Sequence, residues 1–170
     1  MVRTLISLHL ILLVLSTIPL TFSQITPLSI VDQTCKHTPY YNLCVSTLNA
    51  DRRSATADVA GLALIMVDAI KAKATRTQGT IGRLLRSKPT LKKPLSSCAN
   101  AYNIILTVTI PEAYQALPGN PKFAEDGANG CATEANSCEQ EFKGRSPLTA
   151  MNKDVADTSA VAVGIIRLLL

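Results

Sequence analysis

The sequence predicts an all-α protein: an up-down-up-down four-helix bundle carrying an N-terminal helical hairpin clamped by a disulfide. Three observations lead there. Apolar residues recur at spacings of three and four over the stretches 54–87, 91–117, 121–142 and 149–170, while the alternation of a half-buried strand is weak. Short loops join those stretches, which favours antiparallel neighbours. All five cysteines, Cys35, Cys44, Cys98, Cys131 and Cys138, lie beyond an N-terminal export signal, and an oxidising compartment makes disulfides the default.

The export signal is residues 1–23. Arg3 supplies a short positive region, and an apolar run from Leu5 to Leu20 follows, broken by Ser7, His9, Ser16, Thr17 and Pro19. Thr21 and Ser23 are small residues at the −3 and −1 positions of a cleavage after Ser23. Residues 24–170 then form a single domain, with the hairpin at 24–49 and the bundle at 54–170. No later stretch reads as a membrane span: the apolar end Val161 to Leu170 is short and contains Arg167.

Cys35 and Cys44 are nine positions apart, or about 13 Å along a straight helix, too far for a bridge. Pro39 falls between them and breaks the helix, so the chain turns back and the two sulfurs meet. Liganding of a metal by Cys35, His37 and Cys44 lacks a fourth partner. In 54–87 the apolar face is Leu62, Ile65, Met66, Ala69, Ile70, Ala74, Ile81, Leu84 and Leu85, with Ser54 or Thr56 as cap and a bend or break possible near Gly79 and Gly82. In 91–117 the stripe is Leu95, Cys98, Tyr102, Ile105, Thr109, Ala113 and Ala116, and Pro111 is expected to kink it or cost a hydrogen bond.

The third stretch places Ala124, Cys131, Ala135, Cys138 and Phe142 on one face, so periodicity cannot choose between its cysteines. Register can. With antiparallel helices about a turn at Gly119, position 98 lies opposite about 140. Cys138 misses by about 3 Å of rise and Cys131 by about 13 Å. The expected bridge is Cys98–Cys138, leaving Cys131 a buried free thiol. The last stretch, opened by Ser146, Pro147 and Thr149, turns Met151, Val155, Thr158, Ala162, Ile165 and Leu169 inward.

The composition excludes more chemistry than it supports. A formal charge of +5 on an exported chain suits acidic clefts, acidic polysaccharide or cell-wall surfaces, not nucleic acid. Lys88, Lys92 and Lys93 read as a solvated corner. Beyond the signal peptide the one histidine is His37, beside a bridged cysteine, so a Ser-His-Asp triad has no free base. No phosphate loop, HExxH or CxxC occurs. Glu125 with Asp126, and Glu139 with Glu141, read as carboxylates on exposed helix faces. No catalytic residue, metal or cofactor is expected, and the chain reads as a binding module.

One stretch stands out, from Gly119 to Gly127. Pro118 and Gly119 make a turn, Asn120 is a helix cap, and Pro121 suits a first helical position. Lys122 and Phe123 follow at the tip of a helical hairpin. They are either a binding finger or an ordinary helix start with a solvated lysine and a core phenylalanine.

The chain resembles the plant family of invertase and pectin methylesterase inhibitors. The resemblance rests on the export signal, the Cys35 and Cys44 pair, the later cysteines Cys98 and Cys138, and the helical pattern between them. Within that family, Thr34-Cys35-Lys36-His37-Thr38-Pro39, the run Leu62 to Asp68, and Pro121-Lys122-Phe123-Ala124-Glu125-Asp126-Gly127 are similar to the invertase-inhibitor branch. The resemblance implies a four-helix bundle with two disulfides, no catalytic activity, and Pro121, Lys122 and Phe123 as the segment entering the cleft of an acid invertase in a 1:1 complex. Cys131 lies outside the family's four-cysteine framework. Lys122 is expected to meet carboxylates in the sugar pocket, Phe123 to fill apolar space at its mouth, and Pro121 to fix the backbone. Carboxylates at the contact, Glu125 and Asp126 included, are expected to tighten binding as the pH falls. The cell wall (apoplast) is the expected location, with the vacuole as the other. Inhibition of pectin methylesterase is the alternative on the same fold, and a helical carrier of small apolar ligands is a more distant one.

Overall fold

Two short helices lead into the bundle in the computed structural model, which describes residues 29–170. The predicted signal peptide, residues 1–23, lies outside the described residues. Helix α1 (Ile30–Cys35) is capped by Ser29, whose hydroxyl accepts from the Asp32 amide at 3.1 Å. The chain turns through Pro39, and α2 (Tyr41–Asn49) returns along α1. Cys35 and Cys44 are bonded, with their Cα atoms 5.6 Å apart, and both are fully buried. The Tyr41 hydroxyl donates to Asp32 at 3.1 Å and closes the hairpin on its outer side.

Helix α3 (Val59–Ser87) starts later than periodicity suggests. Ser54 lies in a 3-10 turn (Arg52–Ala55), donating its hydroxyl to the Asp51 carbonyl at 2.8 Å. The cap is Asp58, which accepts from the Gly61 amide at 2.8 Å. Gly79 and Gly82 do not interrupt α3. A helical glycine costs about 1 kcal/mol, and the buried residues around them, Ala74, Thr77 and Ile81, hold the helix against its neighbours.

The second long helix changes pitch partway along. Helix α4 (Lys92–Ile104) runs into a π-helical turn (Ile105–Thr109) and continues as α5 (Ile110–Ala116). Pro111 explains the turn. Its ring displaces the carbonyl four residues back, Thr107, and it offers no amide, so the ladder widens before it. Helix α6 (Pro121–Gln140) packs directly on the widened turn. A Cβ on Gly127 would lie 2.8 Å from both the Ala113 nitrogen and the Thr109 oxygen, and one on Gly130 would lie 2.7 Å from the Thr109 methyl. Helix α7 (Thr149–Ile166) completes the bundle and ends in a 3-10 turn (Arg167–Leu169).

The helices close as a square: α3 on α4, α4 and α5 on α6, α6 on α7, and α7 on α3. Leu62, Met66, Ile70, Leu95, Tyr102, Ile105, Val155 and Ile165 fill its centre. Cys98 and Cys138 are bonded between α4 and α6, with their Cα atoms 4.6 Å apart. One polar line crosses this core. The Tyr102 hydroxyl donates to Asn152 at 2.8 Å, and the Asn152 amide donates to Glu139 at 2.7 Å. Among the described residues no buried side-chain nitrogen or oxygen lacks a partner. Cys131 is a buried free thiol, 3.0 Å from the Thr109 hydroxyl, and burial pushes it up to about 11. Among the described residues no helix is long and apolar enough to cross a membrane.

Candidate functional site

The start of α6 is built by hydrogen bonds that leave its side chains free to face outward. The chain leaves α5 in a tight turn in which the Gly119 and Asn120 amides donate to the Ala116 carbonyl at 3.1 and 2.7 Å. Asn120 caps α6 by accepting from the Phe123 amide at 3.3 Å. Pro121 occupies the first helical position, where its missing amide leaves nothing unpaired.

Phe123 does not fold back onto the core. It is 56% exposed. Its ring borders a shallow depression shared with Val108 and Pro111 from the π turn and α5, Ala116, and the capping Asn120. Val108 is itself exposed, so the ring opens a small apolar surface. Lys122 beside it is equally outward-facing, with a side chain 60% exposed. Its ammonium donates to Glu125 at 2.9 Å and lies 3.3 Å from Asp126. A cation in the first turn of a helix faces the positive end of the helix dipole, and these two carboxylates offset that.

Glu125 corrects the reading of an exposed carboxylate pair. It is 5% exposed, whereas Asp126 beside it is exposed. One carboxylate oxygen of Glu125 accepts from Lys122, and the other accepts from the Arg167 Nε at 2.7 Å. Hydrogen bonds from Lys122 and then Arg167 hold its carboxyl below the usual carboxylate range, and Glu125 in turn pushes the Lys122 ammonium up. The expectation that Glu125 titrates to tighten a contact in mild acid is therefore withdrawn: its carboxylate already has two cations. The Lys122 pairing was within reach of sequence, because Glu125 follows at helical spacing. Arg167 was not, because it comes 42 positions later, from the turn that ends α7.

The remaining candidates lie on other elements. His37 is exposed on the hairpin turn, and Lys88, Lys92 and Lys93 are exposed around the start of α4. Among the described residues no group of three or more His, Cys, Asp or Glu side chains is placed to hold a metal.

Residues 29–165 match the family model of the plant invertase/pectin methylesterase inhibitor. The chain belongs to that family. Cell wall / vacuolar inhibitor of fructosidase 1 from Arabidopsis thaliana is 46% identical over 138 residues, covering 81% of this chain and 67% of that protein. Cell wall / vacuolar inhibitor of fructosidase 2 from the same plant is 39% identical over 137 residues, covering 71% and 76%. Among solved structures, mutant form A of a pectin methylesterase inhibitor from Arabidopsis superposes with a TM-score of 0.71 at 22% identity, covering 83% of this chain and 97% of that one. That likeness is one of fold. In this member of the inhibitor family, the two exposed side chains at the head of α6 are an apolar ring and a cation, on a start fixed by proline and a cap.

Proposed function

We propose that this protein is an exported inhibitor of plant acid invertase (β-fructofuranosidase), which seats Pro121, Lys122 and Phe123 in the enzyme's sugar cleft and so restrains sucrose hydrolysis. The observation that carries the reading is the outward pair Lys122 and Phe123 on a helix start capped by Asn120. The fructosidase inhibitors among its relatives support invertase over pectin methylesterase. In this reading residues 1–23 are removed on export, the complex is 1:1, and the protein works in the cell wall, with the vacuole as the second location.

The chemistry follows from the target. A retaining glycosidase holds two carboxylates about 5 Å apart at the scissile bond. An ammonium has three donors. Glu125 and Asp126 engage Lys122 from one side, which leaves a donor for an enzyme carboxylate. Phe123 covers the rim of the cleft as an apolar anchor, and Pro121 reduces the backbone entropy lost on docking. The block is competitive with sucrose and needs no catalytic group on the inhibitor. Lys122→Ala is expected to weaken inhibition of an acid invertase about thirtyfold, with the fold intact. Inhibition that survives this substitution, or inhibition of pectin methylesterase in its place, overturns the reading.

A further inference from the structure

Two exposed cations, one from the start of α6 and one from the turn that ends α7, converge on one buried carboxylate at the tip of the bundle. Lys122 and Arg167 have side chains 60% and 61% exposed, while that of Glu125 is 6% exposed. Glu125 is the one charged residue among the buried described ones. Both of its oxygens are occupied, one by each cation, at 2.9 and 2.7 Å.

Stability alone is a weak reason for this arrangement. Ion pairs with exposed partners contribute little, because solvent screens them and long side chains lose rotamer freedom. Helices α6 and α7 already pack on each other, and Ala124, Ala128, Ala162 and Ile165 on them are fully buried in the core. What those apolar contacts cannot do is choose a rotamer for Lys122, a flexible stem on the outer face. The Glu125 carboxylate does choose one, and Arg167 chooses the orientation of that carboxylate.

We propose that Glu125 and Arg167 are positioning residues of the inhibitory tip: Arg167, on the turn that ends α7, orients Glu125, and Glu125 holds the Lys122 ammonium in the place from which it enters the enzyme. The proposal rests on the docking of Lys122 described above. It makes the C-terminal turn part of the inhibitory apparatus, although that turn carries none of the tip residues. Other charges near this line are Asp126, 3.3 Å from Lys122, and Lys36 and His37, which border the same surface depression as Arg167. Glu112 borders the depression beside Phe123.

The test is a double-mutant cycle on inhibition of an acid invertase, using the whole disulfide-bonded protein. Arg167→Ala is expected to weaken inhibition about tenfold in the wild-type background and to have no further effect in the Lys122→Ala background. Arg167→Lys restores part of the loss by restoring the charge. Glu125→Gln, which keeps shape and burial but loses the charge, reproduces the Arg167→Ala loss and serves if that variant folds poorly. The pH profile adds a readout that a merely structural role would not move. Without Arg167, the buried carboxyl keeps one cation and protonates at a higher pH, so inhibition by the variant falls away earlier on acidification than inhibition by the wild type. An equal loss from Arg167→Ala in both backgrounds overturns the proposal, as does an unshifted pH profile. Sensitivity to Lys122→Ala with none to Arg167→Ala overturns it while leaving the docking reading intact. Insensitivity to Lys122→Ala overturns both.

Discussion

Replacing Gly127 by alanine isolates the seam that seats α6, and with it the tip. The added methyl would stand 2.8 Å from the Ala113 nitrogen, 2.8 Å from the Thr109 oxygen and 3.2 Å from the Ala113 Cα. Favourable contacts to carbon lie at about 3.5–4.0 Å, and all three of these atoms are backbone, so no rotamer change relieves them. Helix α6 has to retreat from the π turn by the better part of an ångström. Overpacking of this kind costs about 1–3 kcal/mol, to which partial loss of neighbouring contacts adds, and the gain in helix propensity returns about 1 kcal/mol. The expected net is a destabilisation of about 1–2 kcal/mol. Gly79 supplies the control. It lies in the middle of α3, and a methyl added there would meet nothing within 4 Å. At that position the same substitution is expected to stabilise by about 0.5–1 kcal/mol. Urea unfolding of both variants with disulfides intact measures the difference. Inhibition should weaken in Gly127→Ala alone, because α6 carries Lys122 and Phe123. A Gly127→Ala protein as stable as Gly79→Ala would refute the close seam.

Three further outcomes are expected. Phe123→Ala weakens invertase inhibition about tenfold while moving stability by no more than about 0.5 kcal/mol, since more than half of the residue is already in water; inhibition assays and urea unfolding on one preparation check both halves. Replacing Cys98 and Cys138 together by alanine opens a loop of sequence separation 40 and costs about 4 kcal/mol in the chain-entropy model, read as a lower urea midpoint. The native Glu125 carboxyl is held below its ordinary value, so the stabilisation it contributes is present above the unfolded-state value and is lost as the pH falls through the lower native one. Urea midpoints of wild type and Glu125→Gln therefore differ at neutral pH and converge on acidification below about pH 4.

Much of the architecture was legible because it is encoded locally. The Cys35 and Cys44 bridge follows from one proline between two cysteines, and the two are bonded around that turn. Counting residues about Gly119 put Cys138 nearly level with Cys98, and those sulfurs are joined. The start of α3 was harder. Ser54, Thr56 and Asp58 are all acceptable caps, and the 3-10 turn before α3 leaves the choice to Asp58. Pro111 announced a fault in its helix but not its form, since a kink and a π turn both relieve the same clash.

The candidate site divides along the same line. Sequence alone determined where the tip lies: a turn at Pro118 and Gly119, an asparagine cap and a proline at the first helical position are properties of consecutive residues. It also determined which faces are apolar, because helical periodicity needs no knowledge of the partner helix. Only the tertiary structure decided that Phe123 points to solvent and Glu125 to the interior. These two residues flank the buried Ala124 on a helix that advances about 100° per residue, so a modest rotation of α6 about its axis would exchange their environments. That rotation is set by the close approach of Gly127 to the π turn and by Arg167 arriving from the far end of the chain, contacts between segments that no local pattern joins.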